Sequence, residues 1–95
     1  MIDHLVLLAA KEDASPEDIE DLIASIRGLK DTVPGIVDLS AGENFSSRSG
    51  GYTHGLFVRF ESAEDLQGYL KHPDHLSVVG ELDALTTRIV IDYEF

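Results

Sequence analysis

The middle of the chain reads Gly51-Tyr52-Thr53-His54-Gly55-Leu56-Phe57-Val58-Arg59-Phe60-Glu61-Ser62, which is typical of a loop end, a β-strand and a helix start. Residues 52–60 alternate, so that Tyr52, His54, Leu56, Val58 and Phe60 share one face of the strand. Ser62, followed by Ala63-Glu64-Asp65, matches the pattern of a helix N-cap. This segment therefore predicts a strand that leads directly into a helix.

The residues before this segment predict a strand, a helix and a second strand. Residues 2–10 are apolar at both alternating sets of positions, as in a strand that is covered on both faces. Ser15-Pro16-Glu17-Asp18 begins a helix, because serine caps free amides and proline suits the first helical position. Val33-Pro34-Gly35 ends that helix. A short strand over residues 36–39 and a polar loop over residues 40–51 follow.

The residues after it predict a helix that Pro73 interrupts, a further helical stretch from about Asp74 to Leu85, and a last strand over residues 87–93. The element order is β-α-β-β-α-β. This order predicts an α+β, ferredoxin-like fold with a four-stranded antiparallel sheet and helices on one face. The first and third strands carry apolar residues on the other face as well. We therefore expect a second copy of the chain to cover it, giving a dimeric α+β barrel.

Composition limits the classes of partner. The 95 residues fit a single domain, residues 1–95. Seven basic against 18 acidic residues give a net charge of −11, which argues against nucleic acid and anionic membranes as partners. The chain has no cysteine, and residues 1–4 lack the basic segment of a signal peptide. A cytoplasmic location is the expectation.

The residues best suited to chemistry lie in Tyr69-Leu70-Lys71-His72-Pro73-Asp74-His75. A phenol and imidazoles on one short segment can move protons near neutral pH. His75 begins a helical stretch, where the positive end of the helix dipole favours a neutral imidazole and hence a base. Capping by His75 and simple packing by Tyr69 remain open alternatives.

A second set of residues can line a cavity. His4 shares a strand face with Val6 and Leu8, and His54 shares one with Leu56 and Val58. If these two faces coincide, they form an apolar wall with a few polar groups, which is the usual form of a small-molecule site. The competing interpretation is that each histidine is a hydrogen-bonded core residue.

Other chemistries find less support. His72 and His75 have H-x-x-H spacing, without the adjacent glutamate and four-residue step of the helical zinc motif. A metal held by these histidines and Asp74 is a weaker alternative. The loop over residues 42–51 lacks a phosphate-binding pattern, and the chain has no nucleophile elbow.

Taken together, these motifs resemble the stress-responsive α/β-barrel (Dabb) family. The resemblance covers essentially the whole chain, and its specific part is the segment from Tyr69 to His75. It implies a dimeric α+β barrel. Within the family the chain is similar to plant polyketide cyclases, which implies an intramolecular aldol condensation without a cofactor.

The resemblance also implies roles for individual residues. Tyr69 would hold or polarise a carbonyl, His75 would be the general base, and His4 and Leu56 would line the cavity. Leu22 and Ile26 would stand where the plant cyclases have aromatic residues around an alkyl tail. A small hydrophobic or polyketide-like ligand is the implied partner. The alternatives are a non-catalytic stress-associated homodimer and a cofactor-free monooxygenase on the same fold.

Overall fold

A computed structural model describes residues 1–95, and it has the predicted β-α-β-β-α-β order with the second helical region divided in two. The strands are β1 (Ile2–Ala10), β2 (Ile36–Glu43), β3 (His54–Phe60) and β4 (Thr86–Glu94); the helices are α1 (Pro16–Thr32), α2 (Ala63–Lys71) and α3 (Pro73–Leu85). The hydroxyls of Ser15 and Ser62 cap α1 and α2, each accepting from the amide three residues later. The predicted capping patterns are therefore present.

The four strands form one antiparallel sheet in the order β2-β3-β1-β4. In this register His4 lies between Val58 of β3 and Asp92 of β4, and Leu8 lies between His54 and Arg88. His4 and His54 therefore share a face of the sheet, but they lie at different heights along it.

The core lies between this face and the helices. β1 contributes Ile2, Val6 and Leu8, and β3 contributes Leu56, Val58 and Phe60. The apolar positions of α1 (Ile19, Leu22, Ile23, Ile26 and Leu29) pack over them and are all buried. The helical spacing in the sequence thus identifies the buried side of α1.

Two predicted boundaries were wrong. β2 continues to Glu43, four residues beyond the predicted end, because residues 40–43 pair with residues 54–57 of β3. Backbone pairing extends the strand through Ser40, Gly42 and Glu43, whose side chains alone indicate a loop. β3 accordingly begins at His54, and the connecting loop covers residues 44–53.

The other face of the sheet is uncovered by any element of the chain. Large apolar side chains remain 40–61% exposed there and at the adjoining chain end: Val37, Leu7, Ile89, Ile91, Tyr93 and Phe95. We call this surface the open sheet face. No helix of the chain is both long enough and apolar enough to cross a membrane.

Candidate active site

A cavity of about 230 Å³ lies between the sheet and the helices. Nine of its 13 lining residues are hydrophobic. The lining comprises His4, Val6, Ile26, Leu56, Tyr69, Leu70, His75, Val78, Val79, Leu82, Arg88, Val90 and Asp92. An apolar wall with a few convergent polar groups is the usual form of a small-molecule site.

The break between α2 and α3 places two of these polar groups side by side. Pro73 disfavours helical geometry at the preceding residue, so His72 is extended (ψ 136°) and caps both helices. The Nδ1 atom of His72 accepts the amide hydrogen of Asp74 at 3.1 Å. Tyr69, in the last turn of α2, and His75, in the first turn of α3, therefore have ring centroids only 4.2 Å apart.

The hydrogen bond of His75 determines its tautomer. Its Nδ1 atom lies 3.2 Å from the backbone carbonyl oxygen of Leu70, which can only accept, so Nδ1 carries a proton. In the neutral imidazole, Nε2 then has a free lone pair. Burial lowers the pKa of His75, positive charge on His4, Arg88 and His72 acts in the same direction, and the bond to Leu70 opposes them. His75 is thus a neutral base at neutral pH.

Tyr69 is a neutral donor. It is 2% exposed, and burial raises the pKa of its phenol to about 12. Its ring packs against Phe60 at 5.1 Å and in a T-shaped arrangement against His4 at 5.8 Å, measured between centroids. Every fully buried polar side-chain atom of the protein has a hydrogen-bond partner. Tyr69 lines the cavity. A phenol that stays protonated at this position can donate a hydrogen bond to a bound carbonyl oxygen.

His4 is held by its neighbour on β4. Its Nδ1 atom is hydrogen-bonded to the Oδ1 atom of Asp92, and the two residues are directly opposite each other in the β1–β4 register. His4 is buried, whereas the Asp92 side chain is 39% exposed. Since Nδ1 is engaged, Nε2 is the nitrogen available to a ligand.

The structure brings six of the nine predicted site residues to this cavity: His4, Val6, Ile26, Leu56, Tyr69 and His75. It does not bring Leu8, Leu22 or His54 there. Leu8 and Leu22 are fully buried core residues at 1% exposure. His54 lies in a separate surface cleft with Glu20, Arg27 and Glu43, and its Nδ1 atom is 2.9 Å from the hydroxyl of Thr53.

Sequence reasoning missed the residues that α3 and β4 contribute. Val78 and Leu82 follow His75 at intervals of three and four residues, which is a helical periodicity that could have placed them on the same side. Arg88, Val90 and Asp92 alternate along β4 and face the cavity together. The alternation was visible in the sequence, but the strand pairing that brings it beside His4 was not.

No group of three or more histidine, aspartate and glutamate side chains is arranged to hold a metal ion. The Nδ1 atoms of His72 and His75 are both engaged within the chain: that of His72 caps α3, and that of His75 is bonded to Leu70.

Comparison with known proteins identifies the family and agrees with the fold. The profile of the Dabb family, described as the stress responsive A/B barrel domain, matches residues 2–95. The Arabidopsis thaliana stress-response A/B barrel domain-containing protein HS1 is 32% identical over 99 aligned residues, covering 98% of this chain and 88% of HS1. Olivetolic acid cyclase from Cannabis sativa is 30% identical, covering 79% of this chain and 76% of the cyclase.

A second Arabidopsis thaliana relative, also named a stress-response A/B barrel domain-containing protein, is longer than this chain. It is 35% identical over 82 residues, which are 85% of this chain and 31% of that relative. The chain therefore spans about a third of the longer protein.

Solved structures share the fold. A dimeric ferredoxin-like protein of unknown function from Jannaschia sp. is 28% identical, with a TM-score of 0.86 over 99% of this chain and 98% of that one. A hydroxynitrile lyase from Passiflora edulis (24% identity, TM-score 0.88, 97% and 90% covered) is similar in fold. The cofactor-independent oxygenase SnoaB from Streptomyces nogalater is also similar in fold, with 15% identity and a TM-score of 0.78 over 99% of this chain and 91% of that one.

Proposed function

The chain belongs to the stress-responsive A/B barrel (Dabb) family, and we propose that it is a small-molecule enzyme of cyclase type that enolises a carbonyl compound without a cofactor. The observation that carries this proposal is the contact between Tyr69 and His75 in a largely apolar cavity. Removal of a proton beside a carbonyl needs a positioned base and a donor to the developing enolate oxygen. His75 and Tyr69 have these two properties.

In the proposed reaction the Nε2 atom of His75 takes a proton from the carbon next to the carbonyl. The electron pair of the broken C–H bond moves to the carbonyl oxygen, and the hydroxyl of Tyr69 stabilises the resulting enolate. In an aldol-type ring closure the enolate carbon then bonds to a second carbonyl carbon of the same molecule. The new alkoxide takes up the proton from the imidazolium of His75, which restores the base.

The proposed assembly is a homodimer through the open sheet face. Contiguous apolar patches of this kind are rare on monomers and mark interaction surfaces. A second copy can cover the patch with the same apolar residues, and the Jannaschia relative, 28% identical, is described as dimeric. This interface would lie on the side of the sheet opposite the cavity.

Hydrogen–deuterium exchange tests the enolisation step without knowledge of the natural substrate. 1-Phenylpropan-2-one in D₂O loses its methylene proton signal when it is enolised, and NMR follows the loss. We expect the protein to accelerate the exchange and His75→Gln to reduce this acceleration by roughly 100-fold or more. Glutamine retains a donor for the carbonyl of Leu70 but provides no base.

His54→Gln is the matched control, since His54 lies on the same side of the sheet and outside the cavity. It should exchange the probe at the wild-type rate. Equal rates in the wild type and in His75→Gln would exclude the proposed base.

A non-catalytic ligand-binding dimer is the second candidate. The names of HS1 and of the longer Arabidopsis relative refer to a stress response and to no reaction, which favours it. This candidate predicts probe binding in the cavity without any enzyme-dependent exchange.

A further inference from the structure

Arg88 is the one permanently cationic residue that lines the cavity. It lies on β4 opposite Leu8, and Asp92 lies on the same strand opposite His4. Arg88 and Asp92 are four residue steps apart along the strand, which is roughly 13 Å at about 3.3 Å per residue. Val90, between them, keeps the middle of this wall apolar. The cavity thus has a cationic end and an end where an acid is paired with His4.

The guanidinium of Arg88 retains donors for a ligand. Its Nη1 atom donates to the Oδ1 atom of Asp83 at 2.8 Å, and the side chain of Asp83 is 64% exposed. Such a solvent-exposed ion pair is weak and yields readily to a competing anion. The fork of an arginine has five N–H donors, so Nε and Nη2 remain for a second partner.

Two cationic side chains, those of Lys11 and Arg88, contact Asp83, in a protein whose net charge is −11. The ammonium of Lys11 donates to the backbone carbonyl of Asp83 at 2.9 Å, so two cations converge on one aspartate. These two cations can attract an anionic ligand toward Arg88.

We propose that the cavity binds small apolar ligands that carry a carboxylate, and that Arg88 binds this carboxylate and sets the orientation of the ligand. The carboxylate would lie at the Arg88 end, directed away from the Asp92 carboxylate, and the apolar body would lie along Val90 toward Tyr69 and His75. This inference rests on the proposed function only for the identity of the site. It adds the chemical class of the ligand and a residue that determines specificity.

The test compares 3-phenylpropionate with its neutral amide, 3-phenylpropionamide, as two probes of the same shape. Dissociation constants come from NMR titration of the 95-residue protein at constant ionic strength, read from backbone amide shifts of the cavity residues. We expect the wild type to prefer the carboxylate by about ten-fold, the usual order for a charge-assisted bond to arginine. Arg88→Gln should reduce this preference to about one, and Arg88→Lys should give an intermediate value.

Arg48→Gln is the matched control, because it removes the same charge from an exposed residue outside the cavity. It should retain the wild-type preference. Equal binding of both probes by the wild type, binding of neither, or an unchanged preference in Arg88→Gln would overturn the inference.

Failure here is distinguishable from failure of the proposed enzyme activity. The probes are not turned over, and the exchange assay uses a neutral ketone. If the protein accelerates deuterium exchange but does not prefer the carboxylate, only the proposed role of Arg88 is excluded. If it prefers the carboxylate but does not accelerate exchange, only the proposed catalysis is excluded.

Discussion

The rings of Tyr69 and His75 lie 4.2 Å apart, centroid to centroid, although they belong to different helices. Pro73 makes this contact possible, because it ends α2 at Lys71 and starts α3 in a new direction. A continuous helix would hold residues six positions apart about 9 Å apart along its axis and on diverging directions. The helix break is therefore a functional element of the proposed site.

The pH dependence of exchange should follow the protonation of His75. Its pKa lies below the ordinary value of 6.5, chiefly because the imidazole is buried, and only the neutral form is a base. The rate should therefore be constant at pH 7–8 and should fall only on acidification, with a midpoint below 6.5. A pH–rate profile of deuterium exchange between pH 4.5 and 8.5 measures this midpoint. A midpoint above 6.5 would contradict the assignment of His75 as the base.

Removal of the Tyr69 hydroxyl should slow the exchange reaction and leave the stability of the protein nearly unchanged. Tyr69→Phe keeps the ring that packs against Phe60 and loses the donor to the enolate oxygen. Loss of one such donor typically costs about 100- to 1,000-fold in rate. We expect exchange to fall by roughly that factor, while the midpoint of urea unfolding remains near the wild-type value. Wild-type exchange in Tyr69→Phe would show that the hydroxyl has no part in the reaction.

The sequence predicted the fold because its patterns are local. Capping serines, the proline after His72 and the alternation in β1 and β3 each act within a few residues, and all are present in the structure. The end of β2 was missed because backbone pairing with β3, rather than its side chains, holds residues 40–43 in the sheet.

The site was predicted only in part. The alternation of residues along a strand identifies the face of the sheet on which a side chain lies, but it gives no position along that face. The sequence left open whether the strand faces of His4 and His54 coincide. They do, yet the register puts His54 opposite Leu8, four residues along β1 from His4. At that position along the sheet, Leu8 is completely buried and His54 lines a different cleft. Asp92 and Arg88 reach the cavity through the β1–β4 register, which no local pattern shows.

A charge on the open sheet face should dissociate the proposed homodimer. Ile91 is 49% exposed in the single chain and lies beside Leu5 in the β1–β4 register. Burial of an unpaired lysine at a sheet-to-sheet interface is costly, so Ile91→Lys should give a monomer at concentrations at which the wild type is a dimer. Size-exclusion chromatography with light scattering measures the mass directly.

The control for this change is Phe45→Lys, which places the same charge at a fully exposed residue in the loop after β2. It should retain the mass of the wild type. A wild type that is monomeric throughout, or an Ile91→Lys protein that remains dimeric, would exclude the open sheet face as the interface.

Filling the cavity should abolish ligand access without unfolding the protein. Val79 lines the cavity from α3 and is half-buried, and the volume of about 230 Å³ gives a larger side chain room to enter. Val79→Phe should therefore reduce deuterium exchange by roughly ten-fold or more, because the ketone can no longer take up its position beside Tyr69 and His75. Thermal unfolding should show little loss of stability, since apolar surface is buried and no existing contact is removed.

Leu76→Phe is the matched control on the exposed side of the same helix, and exchange at the wild-type rate is expected there. Normal exchange in a folded Val79→Phe protein would mean that the reaction takes place outside this cavity.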